Sequence, residues 1–154
     1  MQSPTRVTHL QQETGYSCAA ACLSMVLGIP EREARKAAHT TRVGTYMEDL
    51  SKAATALGAK AHMVRVPHLD YNNCLWWLEA QSQRWPLILS CGFRQSASDS
   101  IGRKRTHRRQ HAVVLWKGQV YDPGEPFPLD SECLGHLGDK GIHLDSYLLI
   151  EYIP

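Results

Sequence analysis

The stretch Q-E-T-G-Y-S-C-A-A-A-C-L-S-M-V-L-G, Gln12 to Gly28, sets the organisation of the whole chain. From Cys18 to Leu27 every residue is apolar or small, and Ala, Leu and Met favour helix. Gly28 supplies a C-terminal stop. A helix apolar on every side belongs in the middle of a core. Cys18 opens this helix, where free N–H groups and the positive end of the dipole stabilise a thiolate. Cys18 is therefore the candidate nucleophile. The alternative makes it a small core residue, since free cysteines are usually buried and inert.

A second stretch gives the thiol its neighbours. His111 to Gly124 reads H-A-V-V-L-W-K-G-Q-V-Y-D-P-G, a strand, a turn near Lys117-Gly118 and a second strand. His111 at the strand mouth is placed to act as general base and, once protonated, to hold the thiolate. A hairpin of this length brings Asp122 beside the imidazole, where a carboxylate fixes the tautomer. D-P-G is also a strong turn signal, and both readings hold together. Gln12, ahead of the thiol, is a candidate amide donor to an oxyanion, together with the Cys18 N–H.

Composition restricts the alternatives. A chain of 154 residues suits one domain, expected to span residues 1–154. A hydrophobic fraction of 43% and a charged fraction of 21% are ordinary for a globular protein. The net charge of +2 is too small to imply a polyanionic partner by itself. No apolar run approaches the ~18 residues of a membrane span. The N-terminus lacks the apolar core of a secretory signal. Five cysteines without a C-x-x-C pair argue against a disulfide framework or a thiolate zinc site and fit a reducing compartment. A cytoplasmic location is expected, with delivery as an effector as a variant.

Pro30 precedes a polar helix, E-R-E-A-R-K-A-A, with acidic residues where the macrodipole favours them. Thr45-Tyr46-Met47-Glu48 reads as a capping box opening a third helix with an apolar stripe at Leu50, Ala53, Ala54 and Leu57. Residues 61–66 read as a strand, and Asn72 or Asn73 as the cap of a short helix. Leu87 to Cys91, His111 to Trp116, Gln119 to Tyr121 and Tyr147 to Tyr152 are strand-like. Helices first and strands later predict an α+β architecture, an N-terminal helical half packed on a C-terminal antiparallel sheet. The four tryptophans, Trp76, Trp77, Trp85 and Trp116, read as core or cleft wall.

Residues 94–110 hold six Arg or Lys against one Asp, with no apolar periodicity. They read as a long exposed basic loop inserted ahead of His111. Arg103, Lys104, Arg105, Arg108 and Arg109 are candidate contacts to an acidic substrate or partner. The alternatives are a solvated loop without a role and a nucleic-acid surface. The last is disfavoured because no aromatic is interleaved. His136 and His143 lie near Asp139 and Asp145 but form no compact metal motif, and a loop is expected there. No metal or other cofactor is expected.

Taken in order, these segments resemble the bacteriocin-processing, double-glycine-leader cysteine peptidases, a branch of the papain-like superfamily. The resemblance rests on Gln12, on S-C-A-A-A-C-L-S-M-V-L, and on Gly44-Thr45 through Leu50, Ala53, Ala54, Leu57 and Gly58. It continues through Pro86-Leu87-Ile88-Leu89, H-A-V-V-L and Asp122-Pro123, covering roughly residues 10–125. The chain departs from that pattern at Ser17, Ala19 and Ala112, where the family usually has an acid, Gly and Phe. The resemblance implies a papain-like fold and thiol-based peptide cleavage. It implies Cys18 as nucleophile, His111 as base, Asp122 as its orienter and Gln12 in the oxyanion hole. The expected function is a stand-alone papain-like cysteine peptidase acting on a peptide or isopeptide bond. A non-catalytic peptide-binding module, and an acyltransferase or amidase using the same residues, remain open.

Overall fold

The computed structural model describes residues 7–41, 44–98, 104–132, 134 and 143–152. Three helices come first: α1 (Cys18–Leu27), α2 (Glu31–Ala37) and α3 (Met47–Ala56). Strand β1 (Lys60–Asp70) and helix α4 (Tyr71–Ser82) follow. The remaining named elements are strands: β2 (Leu87–Ser98), β3 (Lys104–Trp116), β4 (Gln119–Tyr121), β5 (Leu129–Asp130) and β6 (His143–Tyr152). One antiparallel sheet runs in the order β1-β6-β2-β3-β4-β5. This is the expected α+β architecture.

Strand alternation explains the layers. Ile88, Ala112, Val114, Trp116, Leu148 and Ile150 pack with α1, α2 and α3. Their neighbours Leu87, Leu89, Val113, Leu115 and Tyr147 pack with Cys74 and Leu78 of α4. A strand buried on both faces needs apolar residues without a break, which is why Leu87-Ile88-Leu89 and Ala112-Val113-Val114-Leu115-Trp116 are continuous runs. Each such Leu or Ile contributes about 1.5–3 kcal/mol by leaving water. Helix α1 is central, as its all-apolar sequence requires: Ala20, Ala21, Cys22 and Leu23 are fully buried.

Gly28 ends α1 in the left-handed region, at φ 69°, and its N–H bonds to the Ser24 carbonyl at 2.9 Å. A side chain there would be strained. Lys117 and Gly118 both have positive φ, 48° and 76°, the signature of a two-residue I′ hairpin turn. That turn fixes the β3–β4 register, Trp116 opposite Gln119 and Val114 opposite Tyr121.

Several elements differ from the sequence expectation. Thr45 does not cap α3. The N-cap is Tyr46 without a side-chain bond, and the Thr45 hydroxyl meets that of Thr40 at 2.7 Å instead. Helix α4 begins at Tyr71, so Asn72 and Asn73 lie within its first turn rather than ahead of it. Trp76 is 72% exposed, so it does not belong to the core. Residues 94–98 and 104–110 are not loop. They extend β2 and β3 as a paired ribbon from Phe93↔Arg109 out to Ser98↔Lys104. Backbone hydrogen bonds to the adjoining apolar strands carry the pairing outward without any apolar alternation. Arg103, Cys133, His136 and Asp139 lie outside the described residues. Among the described residues no helix is long and apolar enough to cross a membrane, and no group of His, Cys, Asp and Glu is arranged to hold a metal ion.

Candidate active site

Cys18 is the first residue of α1 and is partly exposed. Ser17 at the N-cap makes no capping bond with its side chain; its hydroxyl instead donates to the Thr14 carbonyl at 3.2 Å. The first-turn N–H groups therefore keep their capacity to stabilise an anion.

His111 sits where β3 becomes apolar. Its Nε2 lies 2.6 Å from Asp122 Oδ1. Continuing the β3–β4 register places residue 124 opposite His111 and Asp122 on the diagonal, within reach of long side chains. The residue opposite is Gly124, whose N–H donates to the same Asp122 Oδ1 at 2.8 Å. A Cβ at Gly124 would stand 3.2 Å from that oxygen and 3.9 Å from the imidazole. The missing side chain leaves the carboxylate unhindered against the ring. Gly124→Ala should therefore shift Asp122 by a few tenths of an ångström against the imidazole and lower turnover by less than loss of the carboxylate itself. Steady-state kinetics of both variants check this order.

With Nε2 committed to Asp122, Nδ1 is the ring nitrogen left for Cys18, which lines the same small cavity as His111. Burial alone pushes the Cys18 thiol up. The His111 hydrogen bond and charge, with the backbone N–H groups of Ala112 and Ala19, outweigh it and bring the thiol below its usual 9.0. Burial likewise disfavours a charged imidazole. The bonds to Asp122 and Cys18 and their charges overcome it and raise His111 from 6.5 to about 10. Burial would raise Asp122 too, but its bonds to His111 and Gly124 hold it below the usual carboxylate range. Both shifts favour a thiolate–imidazolium pair over the neutral thiol and imidazole.

Cys22, one turn further along α1, is different. Burial, and then the charges of Cys18, Asp122 and Cys91, push its thiol well above 9.0, so it stays a neutral core residue. A cavity of about 60 Å³ opens at Cys18, lined by Ala19, Gly44, Thr45, Met47, Ser90, His111 and Ala112. A larger cavity of about 430 Å³ runs along the far end of α1, past Leu10, Met25 and Ile29, and includes neither Cys18 nor His111.

Gln12 is tied into the same neighbourhood through its backbone, whose N–H donates to the Pro123 carbonyl at 2.8 Å. Its side-chain amide donates to the Thr14 carbonyl at 2.6 Å. Lys104, Arg105, Arg108 and Arg109 lie on β3, on the ribbon that leads directly into His111. The Ser90 wall of the cleft was not singled out from sequence, and Thr45 and Met47 were read there only as a helix start, because a wall depends on β2 and the start of α3 meeting at α1.

The model of the Peptidase C39 family matches residues 6–88, a span that includes Gln12 and Cys18 and stops before His111 and Asp122. No curated protein matches the chain in sequence. Among solved structures, the double-glycine motif protease of an AMS/PCAT transporter, captured with its leader peptide, is similar with a TM-score of 0.61 and 18% identity, covering 98% of this chain and 95% of that one. The peptidase domain of Streptococcus ComA, a bifunctional ABC transporter involved in quorum sensing, is similar with a TM-score of 0.61 and 14% identity, covering 94% and 98%. At these identities the structures speak for the papain-like fold. The family match takes in more than half of the chain, and the protein accordingly belongs to the peptidase C39 family of cysteine peptidases.

Proposed function

We propose that this chain hydrolyses a peptide bond by covalent thiol catalysis, with Cys18, His111, Asp122 and Gln12 as its working residues. The observation that carries the reading is the His111 imidazole, held 2.6 Å from Asp122 and lining one small cavity with the thiol that opens α1. The Cys18 thiolate attacks the scissile carbonyl. The oxyanion that forms is met by the Cys18 N–H and the second amide hydrogen of Gln12, the first being held by Thr14. The His111 imidazolium gives its proton to the departing amine and leaves an acyl-thioester. Water, deprotonated by His111, then hydrolyses the thioester and frees Cys18. Asp122 keeps the ring in its tautomer and remains ionised throughout.

The small cavity beside Cys18 favours a small residue before the scissile bond. The solved double-glycine motif protease holds a leader peptide, and a comparable peptide is the substrate class proposed here. The basic ribbon ahead of His111 favours acidic residues in the part of the substrate flanking the cut. Synthetic peptides with small residues at the cut and acidic or neutral flanks test both points. The acidic peptide should be cleaved with the lower KM, and that advantage should shrink as salt rises. Replacing Lys104, Arg105, Arg108 and Arg109 by Ala should remove it with kcat unchanged. A salt-independent KM, equal for both peptides, contradicts the role given to the ribbon. Transfer of the acyl group to an added amine in preference to water contradicts hydrolysis.

A further inference from the structure

Glu31 is the strongest unexplained group outside the site. It opens α2, yet its side chain is fully removed from solvent, 0% exposed. A carboxylate is expensive to bury and persists only where it is bonded. Both of its oxygens accept from the Glu13 backbone N–H, each at 3.3 Å. Arg35, one turn along α2, stands 3.7 Å from Glu31 and 2.9 Å from the Glu13 carboxylate.

These bonds fall on either side of the proposed oxyanion donor. The Gln12 N–H is held by the Pro123 carbonyl, next to Asp122. The following N–H, that of Glu13, is held by Glu31. Both peptide units flanking the Gln12 Cα are thus anchored, one to the loop of the proposed triad and one to α2.

We propose that Glu31 is a positioning residue, which sets the Gln12 amide against the start of α1 so that the oxyanion finds its donor in place. The proposal rests on the assignment of Gln12 as that donor. A donor displaced by about 1 Å forfeits most of its stabilisation of the transition state, and little of substrate binding depends on it.

The test is a double-mutant cycle of Glu31→Gln and Gln12→Ala, read by steady-state peptide cleavage and by iodoacetamide alkylation of Cys18. Gln keeps one oxygen for the Glu13 N–H and the volume of the side chain, so the fold survives where Glu31→Ala fails to. Glu31→Gln should lower kcat about tenfold with KM changed less than about twofold, and leave the alkylation rate as in the wild type. In the Gln12→Ala background it should cost almost nothing further, because both changes remove the same stabilisation. An equal loss in both backgrounds, an unchanged kcat, or a parallel fall in alkylation overturns the proposal while leaving Gln12 its role. A silent Gln12→Ala instead removes the donor assignment, and the role of Glu31 falls with it.

Discussion

Cys18→Ala should abolish peptide cleavage, lowering kcat by about 10⁴-fold or more, while the protein stays folded. The size of the effect follows from covalent catalysis. Without a thiolate no acyl-enzyme forms, and an oxyanion hole acting on a water molecule recovers only a small part of the rate. The fold tolerates the change because Cys18 is partly exposed at the helix start and Ala is the better helix former. Thermal unfolding should shift little. Cys18→Ser is the sharper comparison, since it keeps the volume and loses only the ease of ionisation. It should be almost as inactive. Intact-mass spectra of the wild type with a slow ester substrate should show an acyl adduct that both variants lack.

His111→Gln should lower kcat/KM by about 10³–10⁴-fold and change how the remaining activity depends on pH. In the wild type the thiol, brought below 9.0, supplies the rising limb and the imidazolium, raised to about 10, supplies the falling limb. These values belong to the coupled pair rather than to either residue alone. The raised imidazole also contributes stability, fully present below its usual 6.5 and lost as pH rises through about 10. The Gln variant should therefore lose the falling limb, and its unfolding midpoint should lie closest to the wild-type value in strong alkali. A bell-shaped profile that survives the substitution contradicts the role given to His111.

The residues that converge on Cys18 were legible in sequence because each carries a local signal. Cys18 opens an apolar run closed by Gly28, and His111 and Asp122 flank a hairpin whose Lys-Gly turn fixes their spacing. Long-range packing was not legible. The ribbon of residues 94–98 and 104–110 carries no strand pattern of its own, since its backbone pairing is inherited from the apolar strands it continues. Thr45 has the letters of a cap, but its hydroxyl is taken by Thr40. Glu31 reads as an acid complementing a helix dipole in solvent. Only the packing of α2 against the loop before Cys18 turns it into a buried anchor. Trp76 has the size of a core residue, but it lies on the solvent side of α4.

The central claim is that Cys18 is ionised by His111 at neutral pH, and the pH dependence of Cys18 alkylation by iodoacetamide tests it most directly. The other described cysteines, Cys22, Cys74 and Cys91, are buried, and mapping the labelled peptide isolates the Cys18 signal. In the wild type the rate should rise through a pKa below 9.0, and in His111→Gln that pKa should move back up towards 9.0. The same titration in both proteins would contradict the account.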